Sequence, residues 1–202
     1  MKKIIYILFL LAIISCKNTS EESGKLKVVT TTSMITDLVK NIGGDLIEVN
    51  GLMGAGVDPH LYKASEGDVT KLYQADVIFY NGLHLEGKLV EVFEKMGSKK
   101  MTVSLGESLD KSELIGSEYF ASNYDPHVWF NIQFFKQFAN KVTETLAAND
   151  SINAEKFREN NALYQKKLNA FETEVKSTIC LLYTSPRPRD EQFHLVWRIM
   201  LE

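Results

Sequence analysis

Between residues 26 and 105 the chain alternates four times between a short β-branched or aromatic run and a longer stretch with apolar residues at helical spacing, and this rhythm restricts the fold more than any other feature. Residues 26–32 form the first run. Ser33 stands where a helix cap is needed, Ile35, Leu38, Val39 and Ile42 make one apolar stripe, and Gly43-Gly44 ends it. Residues 46–52, 76–80 and 101–105 repeat the strand pattern, with helical stretches predicted at 65–73 and 85–96. Strands joined through helices pair in parallel, so the expected fold is α/β, a parallel four-stranded sheet with flanking helices on both faces. In such sheets ligands collect outside the carboxyl ends of the strands.

The loops leaving those ends carry the chemistry. After the second strand comes Gly56-Val57-Asp58-Pro59-His60-Leu61-Tyr62, and its central tripeptide returns at Asp125-Pro126-His127, again followed by an aliphatic and an aromatic residue, Val128-Trp129. The chain has only four prolines and four histidines, so two of each fall in this repeated motif. At ordinary proline usage even one Asp-Pro-His is a chance event of roughly one in a hundred. Proline fixes its own φ and keeps the preceding Asp extended, so the imidazole that follows leaves the chain at a defined angle. His60 and His127 are therefore the candidate metal ligands. Neutral imidazole suits zinc and is acceptable to manganese or iron, and two imidazoles with two further N or O donors make a closed four-coordinate site. Such a site has no open position for catalysis, and no His-Glu-x-x-His pair occurs, which makes a metal-dependent hydrolase the weaker alternative. Asp58 and Asp125 either accept the second imidazole N–H and fix its tautomer or cap the next turn. His84, after the third strand, falls on the same rim and reads as structural or hydrogen-bonding rather than ligating.

The remaining segments frame this unit. Beyond residue 131 the pattern is helical, and the stripe Phe157, Tyr164, Leu168, Phe171, Val175 and Ile179 predicts a linker helix within residues 149–179, reaching nearly ~40 Å at about 1.5 Å per residue. Residues 26–148 form the α/β domain before it. At the other end Met1-Lys2-Lys3 precedes an apolar run over residues 4–14, too short to span a bilayer comfortably, so residues 1–15 read as a signal peptide. Ile13-Ile14-Ser15-Cys16 resembles the lipobox of bacterial lipoproteins, which makes Cys16 the lipidation site and residues 16–25 a flexible tether. A formal charge of -3 gives no basic surface for nucleic acid. Residues 180–202 hold three of the four arginines and two of the four prolines. That tail reads as foreign to the rest, and its start, through Asp190, resembles the peptide that sequencing-adapter DNA encodes.

Taken together, Thr30-Thr31-Thr32-Ser33-Met34-Ile35, the two Asp-Pro-His motifs, and Ala75-Asp76-Val77-Ile78-Phe79-Tyr80-Asn81-Gly82-Leu83-His84-Leu85-Glu86 resemble the metal-binding receptor lipoproteins of bacterial zinc and manganese ABC transporters, over residues 26–179. The resemblance implies two α/β domains joined by one long helix, with a Zn2+ or Mn2+ ion as transported ligand in the cleft between them. It implies that His60 and His127 are the ligands of the N-terminal domain, and that a His or Glu and then an Asp come from a second domain, missing here. It further implies an extracytoplasmic protein that is no enzyme, held to the membrane by the lipid on Cys16 and serving an ABC permease. A receptor for an organic solute or metal chelate on the same long-helix scaffold is the nearer alternative. His194 falls about where a third ligand is expected, but Phe193-His194-Leu195 lacks the family's surroundings there and reads as tail.

Overall fold

Residues 24–97 and 100–184 are described by the structure, a computed structural model. Four short strands, β1 (Leu26–Thr30), β2 (Ile47–Gly51), β3 (Val77–Tyr80) and β4 (Met101–Ser104), pair in parallel in the order β2-β1-β3-β4. Successive strand residues face opposite ways, and both ways are apolar. On one side Val28, Val77 and Phe79 join a core built with α1 (Ser33–Gly43), α4 (Ile132–Asn149) and α5 (Ala154–Thr184). On the other, Val29 and Ile78 join Leu72 of α2 (Glu66–Gln74) and Phe93 and Met96 of α3 (Val90–Gly97). This is the doubly covered parallel sheet predicted from the sequence. Because β2 lies beside β1 on one side and β3 on the other, the chain reverses direction across the sheet at β1, and a crevice opens there at the carboxyl ends.

Three predicted boundaries move, the first two for a local reason. Thr32, not Ser33, caps α1: its hydroxyl accepts from the Ile35 amide at 3.4 Å, while Ser33 is already the first helical residue. The helix predicted over 85–96 begins only at Val90, because Gly82, Leu83 and His84 take φ of 80°, 51° and 59° and wind the preceding residues into turns. The long helix starts at Ala154 and runs unbroken to Thr184, so its backbone passes through Ile179 and Cys180 without a stop. Cys16 and His194, the signal peptide and most of the tail lie outside the described residues.

The turn after His60 is pinned by a buried carboxylate. Ser65 and Asp68 form a reciprocal capping box at the start of α2, and Asp68 also accepts from the Tyr62 hydroxyl at 2.7 Å and the Lys71 ammonium at 3.1 Å. Burial pushes the Asp68 carboxyl up, but the Ser65 and Tyr62 hydroxyls, the Ser65 amide and Lys71 outweigh it and hold it far below the usual range. Tyr62 is driven the other way, to about 12, by burial and then by the Asp68 carboxylate. A carboxyl depressed by folding stabilises above its unfolded pKa of about 3.9 and loses that contribution as the pH falls below it. Asp68→Asn is therefore expected to cost roughly 1–3 kcal/mol in urea unfolding at pH 7. The gap from the parent should be constant above about pH 5 and shrink only below about pH 4; a gap that closes near neutrality would contradict the assignment.

Candidate metal centre

Each candidate imidazole is oriented by its own Asp-Pro pair. In both motifs the Asp side chain folds forward so that Oδ1 accepts from the amide of the histidine two residues on, at 2.9 Å in Asp58-Pro59-His60 and 2.9 Å in Asp125-Pro126-His127. This closes a small turn about the rigid proline. One motif leaves β2, and the other ends the excursion of residues 105–127 that follows β4, so two distant loops meet over the sheet end. The rings come together there. His60 Nε2 and His127 Nε2 are 3.3 Å apart, with ring centroids 5.3 Å apart.

The two aspartates then differ. Among the described residues, Asp58 makes the turn bond to the His60 amide and no contact to the ring. Asp125 Oδ1 lies 2.6 Å from His127 Nδ1 as well, so it both builds the turn and holds the ring. Burial pushes the Asp125 carboxyl up, but the His127 amide and ring outweigh it and keep it below the usual range. Being ionised, Asp125 can only accept, so the proton of this contact sits on Nδ1, and in the neutral imidazole, the form that binds a metal, His127 Nε2 presents its lone pair. With His127 in that form, the contact between the rings is an N–H···N bond in which His60 is the donor. A cation would take the place of that proton, with His60 in its other tautomer.

The spacing fits such a replacement. Two imidazole ligands at about 2.0–2.1 Å from a tetrahedral centre lie roughly 3.3–3.4 Å apart, against 3.3 Å here. Both rings are partly exposed at the mouth of a cleft of about 480 Å³, lined also by Thr32, Met53, Trp129 and Phe130. Trp129 meets the His127 ring edge-on at 5.3 Å, and Phe120 stacks on His60 at 6.2 Å with 17° between planes. Among the described residues no group of three or more His, Cys, Asp or Glu side chains gathers at metal-binding geometry, so the site here is a pair. His84 is exposed in its left-handed turn and is not among the ring contacts of the pair. The sequence reading missed Phe120, which lies in an irregular loop with no periodic signal. It also missed Asn81, whose amide donates to the Pro126 carbonyl at 3.0 Å.

A model of the periplasmic zinc-uptake complex component A family, ZnuA, matches residues 28–184. The chain belongs to this family. The manganese-binding lipoprotein MntA of Bacillus subtilis is 42% identical over 144 residues, covering 71% of this chain and 47% of MntA. The manganese ABC transporter substrate-binding lipoprotein PsaA of Streptococcus pneumoniae is 36% identical over 191 residues, covering 87% of this chain and 61% of PsaA. Among solved structures, the periplasmic zinc-binding protein TroA of Treponema pallidum superposes with a TM-score of 0.72 at 41% identity, covering 75% of this chain and 54% of TroA. The chain spans about half the length of the curated relatives it matches. The ZnuA family and these neighbours are solute-binding proteins, not enzymes. No described helix is long and apolar enough to cross a membrane.

Proposed function

We propose that this ZnuA-family chain captures a divalent transition metal, Zn2+ or Mn2+, with His60 and His127 outside the membrane, and that the complete receptor passes the ion to an ABC permease. The observation that carries the reading is the 3.3 Å approach of two Nε2 atoms, one of them fixed as a lone-pair donor by an ionised carboxylate. The metal is cargo, so the protein performs no covalent chemistry on it. Cys16 carries the lipid that keeps the receptor at the membrane, and residues 16–25 tether it there.

Two imidazoles give half of a four-coordinate shell. The 202-residue chain is therefore expected to bind Zn2+ weakly and with little preference over Mn2+ in calorimetry of chelator-stripped protein. Tight, stoichiometric and selective binding by this chain would count against a two-ligand site. Asp125→Asn removes the carboxylate that fixes the His127 tautomer, and its expected cost is roughly tenfold in Zn2+ affinity, the lower end for an outer-sphere partner. Asp58→Asn, which keeps an oxygen to accept from the His60 amide, should cost clearly less in the same titration.

A further inference from the structure

Among the described residues, a buried carboxylate without a cationic partner lies below the second Asp-Pro-His motif, linked to it through Asn81. Glu86 is 1% exposed, yet none of its recorded partners is a cation. Its Oε1 accepts from the Thr31 hydroxyl at 2.7 Å and the Asn81 amide at 2.8 Å, and its Oε2 accepts from the Gly82 amide at 3.1 Å. The carboxyl reaches back to those amides because Gly82, Leu83 and His84 are all left-handed, an uncommon conformation for a non-glycine residue and least suited to Leu83. Surroundings must hold such a turn in place. Here the Gly106 amide donates to the Asn81 carbonyl at 2.7 Å, and Leu83 is buried against the sheet end.

The effect of this effort is to lock one side chain. Asn81, 1% exposed, donates one amide hydrogen to the Gly82 carbonyl at 3.0 Å and the other to the Pro126 carbonyl at 3.0 Å. The Gly82 bond fixes the rotation of the carboxamide, and the Pro126 bond then fixes the peptide that joins Pro126 to His127. Asn81 is thus a side-chain link between the end of β3, in the middle of the sheet, and the second Asp-Pro-His motif, 45 residues away in sequence.

The geometry points to Asn81 as a positioning residue for the metal pair, held rigid by the left-handed turn and Glu86, which sets the height and direction of His127 relative to His60. This rests on His60 and His127 being ligands. Without the Asn81 bond, the loop of residues 105–127 would keep its Asp125 turn, its Leu105 and Gly106 bonds at the sheet end and its buried Leu109 and Leu114, but the Pro126 carbonyl beside His127 would lose its tie to the end of β3, and the separation of the two Nε2 atoms would no longer be fixed.

The test is Zn2+ calorimetry on the chelator-stripped 202-residue chain with Asn81→Ala, with Asn81→Leu, which keeps the volume but has no donor, with His127→Ala, and with Phe157→Leu as a destabilised control far from the pair. Expected is a roughly 10–100-fold loss of affinity in both Asn81 variants, while Phe157→Leu binds like the parent although its melting temperature also falls. Parent-like affinity in a folded Asn81 variant overturns the proposal, as does an equal loss in Phe157→Leu, which would make the effect one of general stability. If neither Asn81 variant folds, Asn81 is a structural residue and the positioning role is likewise rejected. Should His127→Ala also bind like the parent, it is the ligand assignment that fails, and the two failures are separately visible.

Discussion

His127→Ala and His60→Ala are each expected to reduce the Zn2+ affinity of the chelator-stripped chain by more than the roughly 10–100-fold that loss of an outer-sphere partner costs, leaving no saturable heat in calorimetry. The reason is chelation. With both rings in place, one binding event forms two bonds to donors already held 3.3 Å apart, so the second bond pays almost no ordering entropy. Remove either imidazole and the other is an ordinary surface histidine with one bond to offer. His84→Ala should leave the affinity within about twofold, since this ring stands apart from the pair in an exposed turn. The three variants together discriminate: equal losses from all of them would indicate adventitious binding to scattered histidines, and the assignment of a built site would fall.

What was legible in the sequence follows from which interactions are local. A proline constrains its neighbours whatever surrounds it, so the two Asp-Pro-His motifs carry a local geometric signal, and both aspartates close a turn, one of the two roles the sequence left open for them. The strand runs and the α1 stripe were equally plain, because burial on a periodic face leaves a periodic trace. The distinction between Asp58 and Asp125 was not legible. The same three letters produce a bare turn in one case and a turn plus an imidazole contact in the other, and only the incoming loop decides. Glu86 shows the limit most clearly. In a stretch predicted as helix from residue 85, a glutamate reads as a solvated helical residue, whereas three left-handed residues before it turn its carboxylate inward onto backbone amides. Consecutive positive φ at Leu83 and His84 has no clear compositional signal, since leucine disfavours it and histidine, although more tolerant than most, does not demand it. The Asn81 bond to Pro126 spans 45 residues and belongs to the tertiary structure alone.

Phe157→Ala is expected to cost about 3–5 kcal/mol, a large share of the stability of a domain this size, whereas Phe171→Ala on the same helix should cost under about 1 kcal/mol. The contrast follows from how α5 is held. Its first half is knitted to the sheet domain: Phe157 is 0% exposed within the main core, Tyr164 is buried, and Asn160 donates to the Ile42 carbonyl of α1 at 2.8 Å. Farther along, Leu168 still packs on the edge of the core, and the other attachments become polar. Gln165 reaches the Lys136 carbonyl at 3.0 Å, and Glu172 collects Lys136, Lys176 and Gln133, which together hold its carboxyl down to about 2. Phe171 is already 54% exposed and Ile179 43%. A helix of 31 residues is about 46 Å long, so roughly its last dozen residues project beyond what the core can stabilise. Urea unfolding followed by far-UV circular dichroism measures both variants. Hydrogen exchange supplies the independent check, with amides protected near Phe157 and exchanging early beyond Glu172, as a helix held at one end requires. Equal losses from the two phenylalanines, or uniform protection along α5, would mean that the helix is held over its whole length and that its far half is not the free arm described here.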